Sequence, residues 1–228
     1  MAIKKRPVSP RQKMINLMYV VLMAMLALNV STEVLDGFSI VEDSLNRTTA
    51  NSSAENNAIY SDFADQMKQN PTKVREWFEK AKQVKDMSDA LYNFAQELKV
   101  AIVKEADGKN GDVSNIKNKE NLEAAGIVML APGTGKGKKL YRELNRYRER
   151  ILELVTDEHQ KKIIASNFST QVPKSEKYLG KNWQEYMFEN MPVAAAVTML
   201  SKIQSDVRYA EGEVLHNLVA NIDMKDIR

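Results

Sequence analysis

The longest uninterrupted apolar stretch of the chain covers residues 14–30 (MINLMYVVLMAMLALNV) and contains no charge, proline or glycine. As a helix this run would extend about 26 Å at 1.5 Å per residue, close to the ~30 Å hydrocarbon core of a bilayer. Apolar residues at helical spacing continue beyond it, at Val34, Leu35, Phe38, Val41 and Leu45. The pattern therefore predicts a transmembrane helix over residues 13–35 that continues outward, preceded by a short tail, residues 1–12.

The charges on the two sides of this run are unequal. Five bases and no acid precede it: Lys4, Lys5, Arg6, Arg11 and Lys13. The residues just after it carry only acids, namely Glu33, Asp36, Glu42 and Asp43. Because bases are retained on the cytoplasmic side, we expect the N-terminus inside and residues 36–228 in the periplasm of a bacterial inner membrane.

Two other interpretations of the run remain to be weighed. A cleaved signal peptide has a shorter apolar core followed by a small-x-small cleavage site, and residues 25–29 (MLALN) contain no such site. A buried helix of a soluble protein would not require bases on one side and acids on the other. Both patterns favour an uncleaved, single-pass anchor.

The rest of the chain alternates long amphipathic stretches with short breaks. Apolar residues recur every three or four positions from Pro71 to Gly108, over residues 138–155, and from Pro192 onward, with a shorter helix predicted over 157–168. The polar stretch 46–58 is open to interpretation as a loop or a solvated helix, residues 109–137 have no clear course, and 169–191 is irregular. Strand-like alternation is absent, so the pattern predicts an all-α, up-and-down helical bundle.

The composition excludes several classes of function and indicates no chemical reaction. The formal net charge is +3, but residues 1–30 supply five bases, so the remaining 28 bases face 30 acids and no nucleic-acid partner is indicated. The chain has no cysteine, which excludes disulfides and cysteine-ligated metals. No carboxylate pair stands in an apolar context, and His159 and His216 are each isolated. We therefore expect neither an enzyme nor a bound cofactor or metal.

One glycine-rich stretch, residues 132–138 (PGTGKGK), superficially resembles a phosphate-binding loop. That motif requires G-x4-G-K followed by Ser or Thr, but Gly137 follows Lys136, and Leu130 stands where the first glycine belongs. The stretch is better interpreted as a flexible loop before a helix.

The beginning of the apolar run carries the polar residues that are candidates for contact with a partner. Ser9 and Pro10 predict the start of its helix, because serine caps helices and proline suits the first turn. Asn16 and Tyr19 are three residues apart and share a face, close to Arg11 and Lys13. Packing against other helices is favoured by an adaptable methionine, Met18, and by two small residues, Ala24 and Ala27.

Residues 9–21 (SPRQKMINLMYVV) and 24–31 (AMLALNVS) resemble the start of the GldM/PorM family of gliding-motility and type IX secretion proteins of Bacteroidetes. The resemblance implies a homodimer whose single membrane helices sit within a ring of GldL/PorL subunits. It further implies that proton flow drives the motor and that the periplasmic dimer transmits mechanical work to secretion components of the outer membrane. The β-rich domains that follow in the family are missing, so the chain is expected to correspond to the N-terminal portion.

The resemblance also assigns roles to residues. Arg11 is expected to pair with a membrane-embedded carboxylate of the ring, while Asn16 and Tyr19 would face the ring. Two alternatives remain. A passive scaffold would tolerate the loss of Arg11 and Asn16. A membrane sensor would normally return to the cytoplasm through a second span, and none follows residue 30.

Overall fold

The computed structural model describes residues 7–28 and 30–225, and within those ranges every regular element is helical. The long elements are α1 (Pro10–Leu28), α2 (Thr32–Gln69), α3 (Pro71–Asp107), α5 (Gly137–Leu154) and α8 (Val193–Lys225). The shorter ones are α4 (Ala124–Leu130), α6 (Glu158–Asn167) and α7 (Trp183–Phe188), with one 3-10 turn at Glu176–Tyr178. The predicted all-α class is confirmed for this part of the chain.

Within the stretch predicted as one helix, residues 13–35, the structure describes α1 up to Leu28 and α2 from Thr32. Ser31 has an extended backbone, and its hydroxyl accepts the Val34 N–H at 3.2 Å. A serine side chain that caps a new helix in this way replaces the missing carbonyl of a preceding turn. In the portion that the structure describes, no helix is both long enough and apolar enough to cross a membrane.

α1 starts at the residue that the sequence predicts. It begins at Pro10, and the Ser9 hydroxyl accepts the Gln12 N–H at 3.2 Å. The next boundary is also as predicted. Asn70 separates α2 from α3, and its side chain accepts the Lys73 N–H at 3.3 Å just after Pro71 opens the new helix.

The stretch 46–58, which the sequence left open, lies within the 38-residue helix α2. Two of its polar residues, Thr49 and Asn56, are buried against the bundle. Most of the stretch is exposed, so it is a solvated part of α2, and Asn56 contacts polar groups of α8.

The helices do not alternate strictly up and down. α3 is antiparallel to α2, but α8 is parallel to α2, since Thr198 contacts Phe38 and Glu211 contacts Asn56. α8 runs in this direction because an extended segment precedes it. In this segment, residues 168–172 run back along α5. Arg148 donates to the Phe168 carbonyl at 3.1 Å, and Thr170 donates to Asn145 at 3.0 Å.

The hydrophobic core is organised around α8, which packs against α2 and α3 along much of its length. The largest fully buried apolar side chains come from several helices: Phe63, Ile102, Met129, Leu140, Ile151, Ile164, Phe188, Leu200 and Leu215. The segment predicted to be irregular, residues 169–191, contains α7, and Trp183 and Phe188 of this helix close one part of the core.

The connection after α3 is built around Asp107. One carboxylate oxygen accepts the Lys117 N–H at 2.7 Å, and the other accepts the Asn118 N–H at 2.8 Å. Gly108, at φ 90°, provides the left-handed turn that ends the helix. These hydrogen bonds from the backbone to the Asp107 side chain hold residues 117 and 118 in place, and they have no periodic signature in the sequence.

Candidate functional site

The first candidate site is α1, an apolar helix whose side chains are unusually exposed. Every described side chain from residue 7 to residue 22 is exposed. Met14, Leu17, Met18, Tyr19 and Val20 each expose more than 60% of their surface. Soluble monomers rarely leave so continuous an apolar surface exposed, which makes α1 a candidate surface for contact with lipid or protein.

The predicted contact residues all lie on this helix. Arg11, Lys13, Asn16, Met18 and Tyr19 are exposed, and none is brought against another described helix. The amide of Gln12 donates to Asn16 Oδ1 at 3.1 Å, so Asn16 has one local partner. The side chains of Ala24 and Ala27, and the whole of Asn29, lie outside the described part of the chain.

The second candidate site was not foreseen from the sequence. It is a cluster of five side chains between α2, α3 and α8, which we call the Glu211 cluster: Asn56, Tyr60, Asp89, Arg208 and Glu211. Asn56 Nδ2 donates to Glu211 Oε1 at 2.9 Å, and the Tyr60 hydroxyl donates to Glu211 Oε2 at 3.0 Å. Arg208 Nη1 donates to Asp89 at 2.9 Å and to Glu211 at 3.1 Å.

Burial and charge oppose each other in this cluster. Glu211 exposes 2% of its side chain and Arg208 exposes 13%. Burial raises the pKa of Glu211, and neither Arg208 nor the hydrogen bonds from Tyr60 and Asn56 bring it back to its ordinary value. For Asp89, burial alone would raise the pKa, but hydrogen bonds from Lys85 and Arg208 hold it below its usual range. The sequence pattern did not predict this buried carboxylate.

Neighbouring groups extend the Glu211 cluster. The Arg208 guanidinium stacks 4.2 Å from the centre of the Tyr92 ring. Close by, the hydroxyls of Ser88 and Tyr147 are 2.9 Å apart, which ties α3 to α5. Burial raises the pKa of the Tyr147 hydroxyl well above its usual range, so it remains protonated and able to donate.

A second polar group, the Glu42 cluster, comprises Glu42, Lys99, Ser201 and Gln204. Ser201 Oγ donates to Glu42 Oε1 at 2.7 Å, and Lys99 Nζ lies 3.5 Å from the same oxygen. Lys99 Nζ also donates to Gln204 Oε1 at 3.0 Å. Burial lowers the pKa of Lys99, and the nearby Glu42 carboxylate only partly offsets this effect.

A sequence signal for both clusters exists in retrospect. Buried or half-buried polar residues repeat along α8 at spacings of three, three, four and three: Thr198, Ser201, Gln204, Arg208 and Glu211. Such a repeat marks one face of a helix, here beside the apolar face that was recognised. On a helix that is buried nearly all round, a polar face predicts polar partners on its neighbours.

The glycine-rich loop is shaped by its own backbone. The Gly135 N–H donates to the Ala131 carbonyl at 2.8 Å, and the Lys136 N–H donates to the Val128 carbonyl at 3.0 Å. A Cβ at Gly135 or Gly137 would lie 2.7 Å from the Met129 carbonyl oxygen. Two amides that a phosphate-binding loop would offer to its ligand are therefore occupied, and the glycines serve close packing.

The two histidines lie on different helices. His159 is exposed on α6, while His216 on α8 contacts the Gly212 carbonyl at 2.6 Å and lies 3.5 Å from Glu55. Among the described residues, no group of histidines and carboxylates is arranged to hold a metal ion.

Taken together, these features define a helical-bundle domain with an exposed apolar helix at its N-terminal end. The GldM N-terminal domain model matches residues 33–221, and the chain belongs to that family. Membership connects the chain with gliding motility and type IX secretion, in a family of structural or motor-associated components and not a known family of enzymes. A comparison with curated proteins gives no match.

The family match also confirms the resemblance suggested by the sequence. That resemblance was carried by residues 9–31, whereas the match covers residues 33–221. Two parts of the chain that do not overlap therefore indicate the same family.

Proposed function

We propose that this chain is the inner-membrane component of a motor driven by the proton-motive force, which powers type IX secretion and gliding. Its apolar helix would lie in a ring of GldL/PorL subunits, with the N-terminus in the cytoplasm. The helical bundle, as a homodimer in the periplasm, would carry mechanical work toward the outer-membrane secretion components.

The observation that carries this proposal is the exposure of α1. The uncharged part of its surface, residues 14–22, is exposed on every side and needs a covering of lipid and partner helices. The sequence supports the same conclusion, because the run of residues 14–30 has bases just before it and acids just after it. Family membership supplies the cellular process in which this helix would act.

Arg11 gives the proposal a physical mechanism. A charged carboxylate inside a membrane is costly, and a guanidinium nearby reduces that cost by favouring the ionised form. Arg11 lies in the first turn of α1 and is exposed toward any neighbour. As successive ring subunits release protons, Arg11 would favour each deprotonated carboxylate in turn and so bias the motion.

The decisive experiment replaces Arg11 in cells that lack their own copy of the gene. Arg11→Ala should stop secretion and gliding while the complex still assembles, as counted by native mass in detergent. Arg11→Lys should be intermediate, because lysine keeps the charge but loses the planar fork. Arg47→Ala, which removes an exposed arginine from α2, is the matched control and should leave both activities intact. Normal secretion in the Arg11→Ala strain would reject the mechanism.

Membrane orientation can be measured separately, because the chain contains no cysteine. Single cysteines placed at Val8 and at Glu79 would report on the two sides of the membrane. In cells with a permeabilised outer membrane, an impermeant maleimide should label Glu79→Cys, whereas Val8→Cys should react only after lysis. Labelling of Val8→Cys in intact cells would reverse the proposed topology.

A second candidate function, a passive scaffold, is favoured by the break between α1 and α2. A chain that leaves helical geometry at Val30 and Ser31 is not one rigid rod. A scaffold of this kind would need α1 only as an anchor. It would predict full activity in the Arg11→Ala strain and loss of activity only when the bundle itself is removed.

A further inference from the structure

The first two-thirds of α2, residues 32–56, adheres to the bundle without a single fully buried apolar side chain. The two buried residues in this stretch are Thr49 and Asn56, and both are polar. Ile40 and Val41 expose 69% and 48% of their surface. Leu35, Phe38 and Leu45 are only half-buried. Full burial of an aliphatic or aromatic side chain contributes about 1.5–3 kcal/mol, so this stretch has less of the main source of helix adhesion than a core helix.

The last third of α2 is attached differently. Phe63 is 2% exposed within the core, and Ile59, Tyr60 and Met67 pack against it. The helix therefore has an apolar, firmly docked end at residues 59–69. Its other end, at Thr32, is the one that follows α1 in the chain.

Polar groups hold residues 32–56 at several places, and two of these contacts involve buried groups of α3 and α8. Glu42 accepts from Ser201 and faces Lys99, while Asn56 donates to Glu211 and to the Arg208 carbonyl. Individual hydrogen bonds contribute about 0.5–1.5 kcal/mol net, because water competes for the same groups.

The groups left behind on α3 and α8 would keep partners if this stretch moved away. Lys99 would retain Gln204 at 3.0 Å, and Arg208 would retain Asp89 at 2.9 Å and Glu211 at 3.1 Å. Separation would therefore break one ion pair, between Lys99 and Glu42, but Lys99 would keep a hydrogen bond to the neutral Gln204. Arg208 would keep both of its carboxylate partners, so the costly case of a buried charge with no polar partner is avoided.

Packing between this stretch and the body is also incomplete. A cleft of about 350 Å³ lies between α2, the loop after α3 and the start of α8, with Phe38, Glu42, Ile116 and Val197 among its lining residues. Lys119 crosses it to donate to Ser39 at 3.1 Å. Fewer dispersion contacts would be lost on opening than in a closely packed interface.

From this geometry we infer that residues 32–56 form an arm that opens away from α8 while residues 59–69 remain docked. Displacement applied at Thr32 would widen the cleft and separate the Glu42 cluster without unfolding α3, α5 or α8. The use of this opening to transmit motion from α1 rests on the proposed function; the opening itself follows from the contacts of α2.

Hydrogen exchange on the full chain, purified in detergent without partners, tests the arm directly. Amides of residues 36–55 should exchange at least about tenfold faster than those of residues 60–67, although all belong to one helix. Amides of residues 90–103 and 197–215 should be the slowest. Equal protection along α2 beyond its first turn would overturn the inference.

A variant and its control sharpen the test. Glu42→Gln keeps an acceptor for Ser201 but loses the attraction of Lys99, so exchange should accelerate several-fold in residues 36–55 alone. Glu143→Gln, at a surface ion pair with Arg146 on α5, should change nothing in α2. Acceleration of α3 and α8 together with α2 would indicate global opening and reject a separate arm.

This outcome is independent of the motor hypothesis, because no ring subunit or proton gradient is present in the measurement. A failure of the Arg11 experiment would leave the arm intact as a property of the domain. Uniform exchange would remove the arm and leave the Arg11 mechanism untouched.

Discussion

The side-chain oxygen of Asn56 on α2 occupies the space beside Gly212 of α8, where an ideal Cβ would come within 2.8 Å of it. Asn56 is not free to rotate away. Its Nδ2 donates at 2.9 Å both to the Arg208 carbonyl and to Glu211 Oε1. The close approach of α2 and α8 at the Glu211 cluster therefore requires a glycine at position 212.

Gly212→Ala separates this packing effect from helix propensity. Alanine would normally stabilise a helix by about 1 kcal/mol relative to glycine. Here we expect a loss of about 1–3 kcal/mol in the free energy of unfolding, because the methyl group displaces Asn56 from its hydrogen bonds. Gly37→Ala is the control, since a Cβ there meets nothing within 4 Å and should stabilise the protein. Urea denaturation measures both, and a more stable Gly212→Ala protein would contradict the proposed contact.

Removing the cation of the Glu211 cluster should be far more costly than removing one from the surface. Arg208→Met leaves Asp89 and Glu211 facing each other without their shared partner, and we expect a loss of about 3–5 kcal/mol. Lys68→Met breaks an ion pair with Asp65 whose side chains are 77% and 63% exposed. That change should cost less than about 1 kcal/mol. Similar losses in the two variants would show that the buried pair contributes no more than an exposed one.

The raised pKa of Glu211 makes stability depend on pH in a defined direction. Burial, its largest cause, disfavours the carboxylate, so the native state is favoured most while Glu211 is protonated. Its contribution is lost as pH rises through the raised pKa. Asp89 behaves oppositely: its pKa is lowered, and its contribution is lost as pH falls through that lowered pKa.

Glu211→Gln isolates the first of these effects. Glutamine resembles the protonated acid, so the variant and the original chain should have similar stability near pH 4.5. As pH rises to about 7.5, the variant should gain stability relative to the original chain. Urea denaturation at a series of pH values measures the difference. A difference that shifts toward the original chain with rising pH would mean that ionised Glu211 is net stabilising.

Much of the bundle is predictable from the sequence because apolar spacing and capping residues act locally. Asn70 and Pro71 mark a helix boundary by their own chemistry, and Gly108 ends α3 as expected. The return of residues 168–172 along α5 is not predictable in this way. It depends on contacts such as Arg148 with the Phe168 carbonyl, between residues 20 positions apart.

The two candidate sites differ in the same way, since one is predictable from the sequence and the other is not. The exposed face of α1 is visible in the sequence, because an uncharged run needs no partner within the chain to be recognised. The Glu211 cluster is not, since Asn56 and Glu211 are 155 positions apart and each looks like an ordinary surface residue. The polar repeat on α8 was a usable signal, but its meaning depended on knowing that α8 is buried by α2 and α3.

The loop before α5 offers a final prediction about what its glycines do. In Gly137→Ala, the new methyl group would lie 2.7 Å from the Met129 carbonyl and 2.8 Å from Gln184 Cβ. Because a backbone oxygen cannot yield as a side chain can, we expect a loss of about 1–3 kcal/mol in the free energy of unfolding. Lys136→Ala removes an exposed side chain and should change stability by less than about 0.5 kcal/mol.

If the loop serves packing alone, millimolar ATP with magnesium should leave the melting temperature of the original chain and of Lys136→Ala unchanged. A nucleotide-dependent rise that disappears in Lys136→Ala would instead establish a phosphate site at this loop.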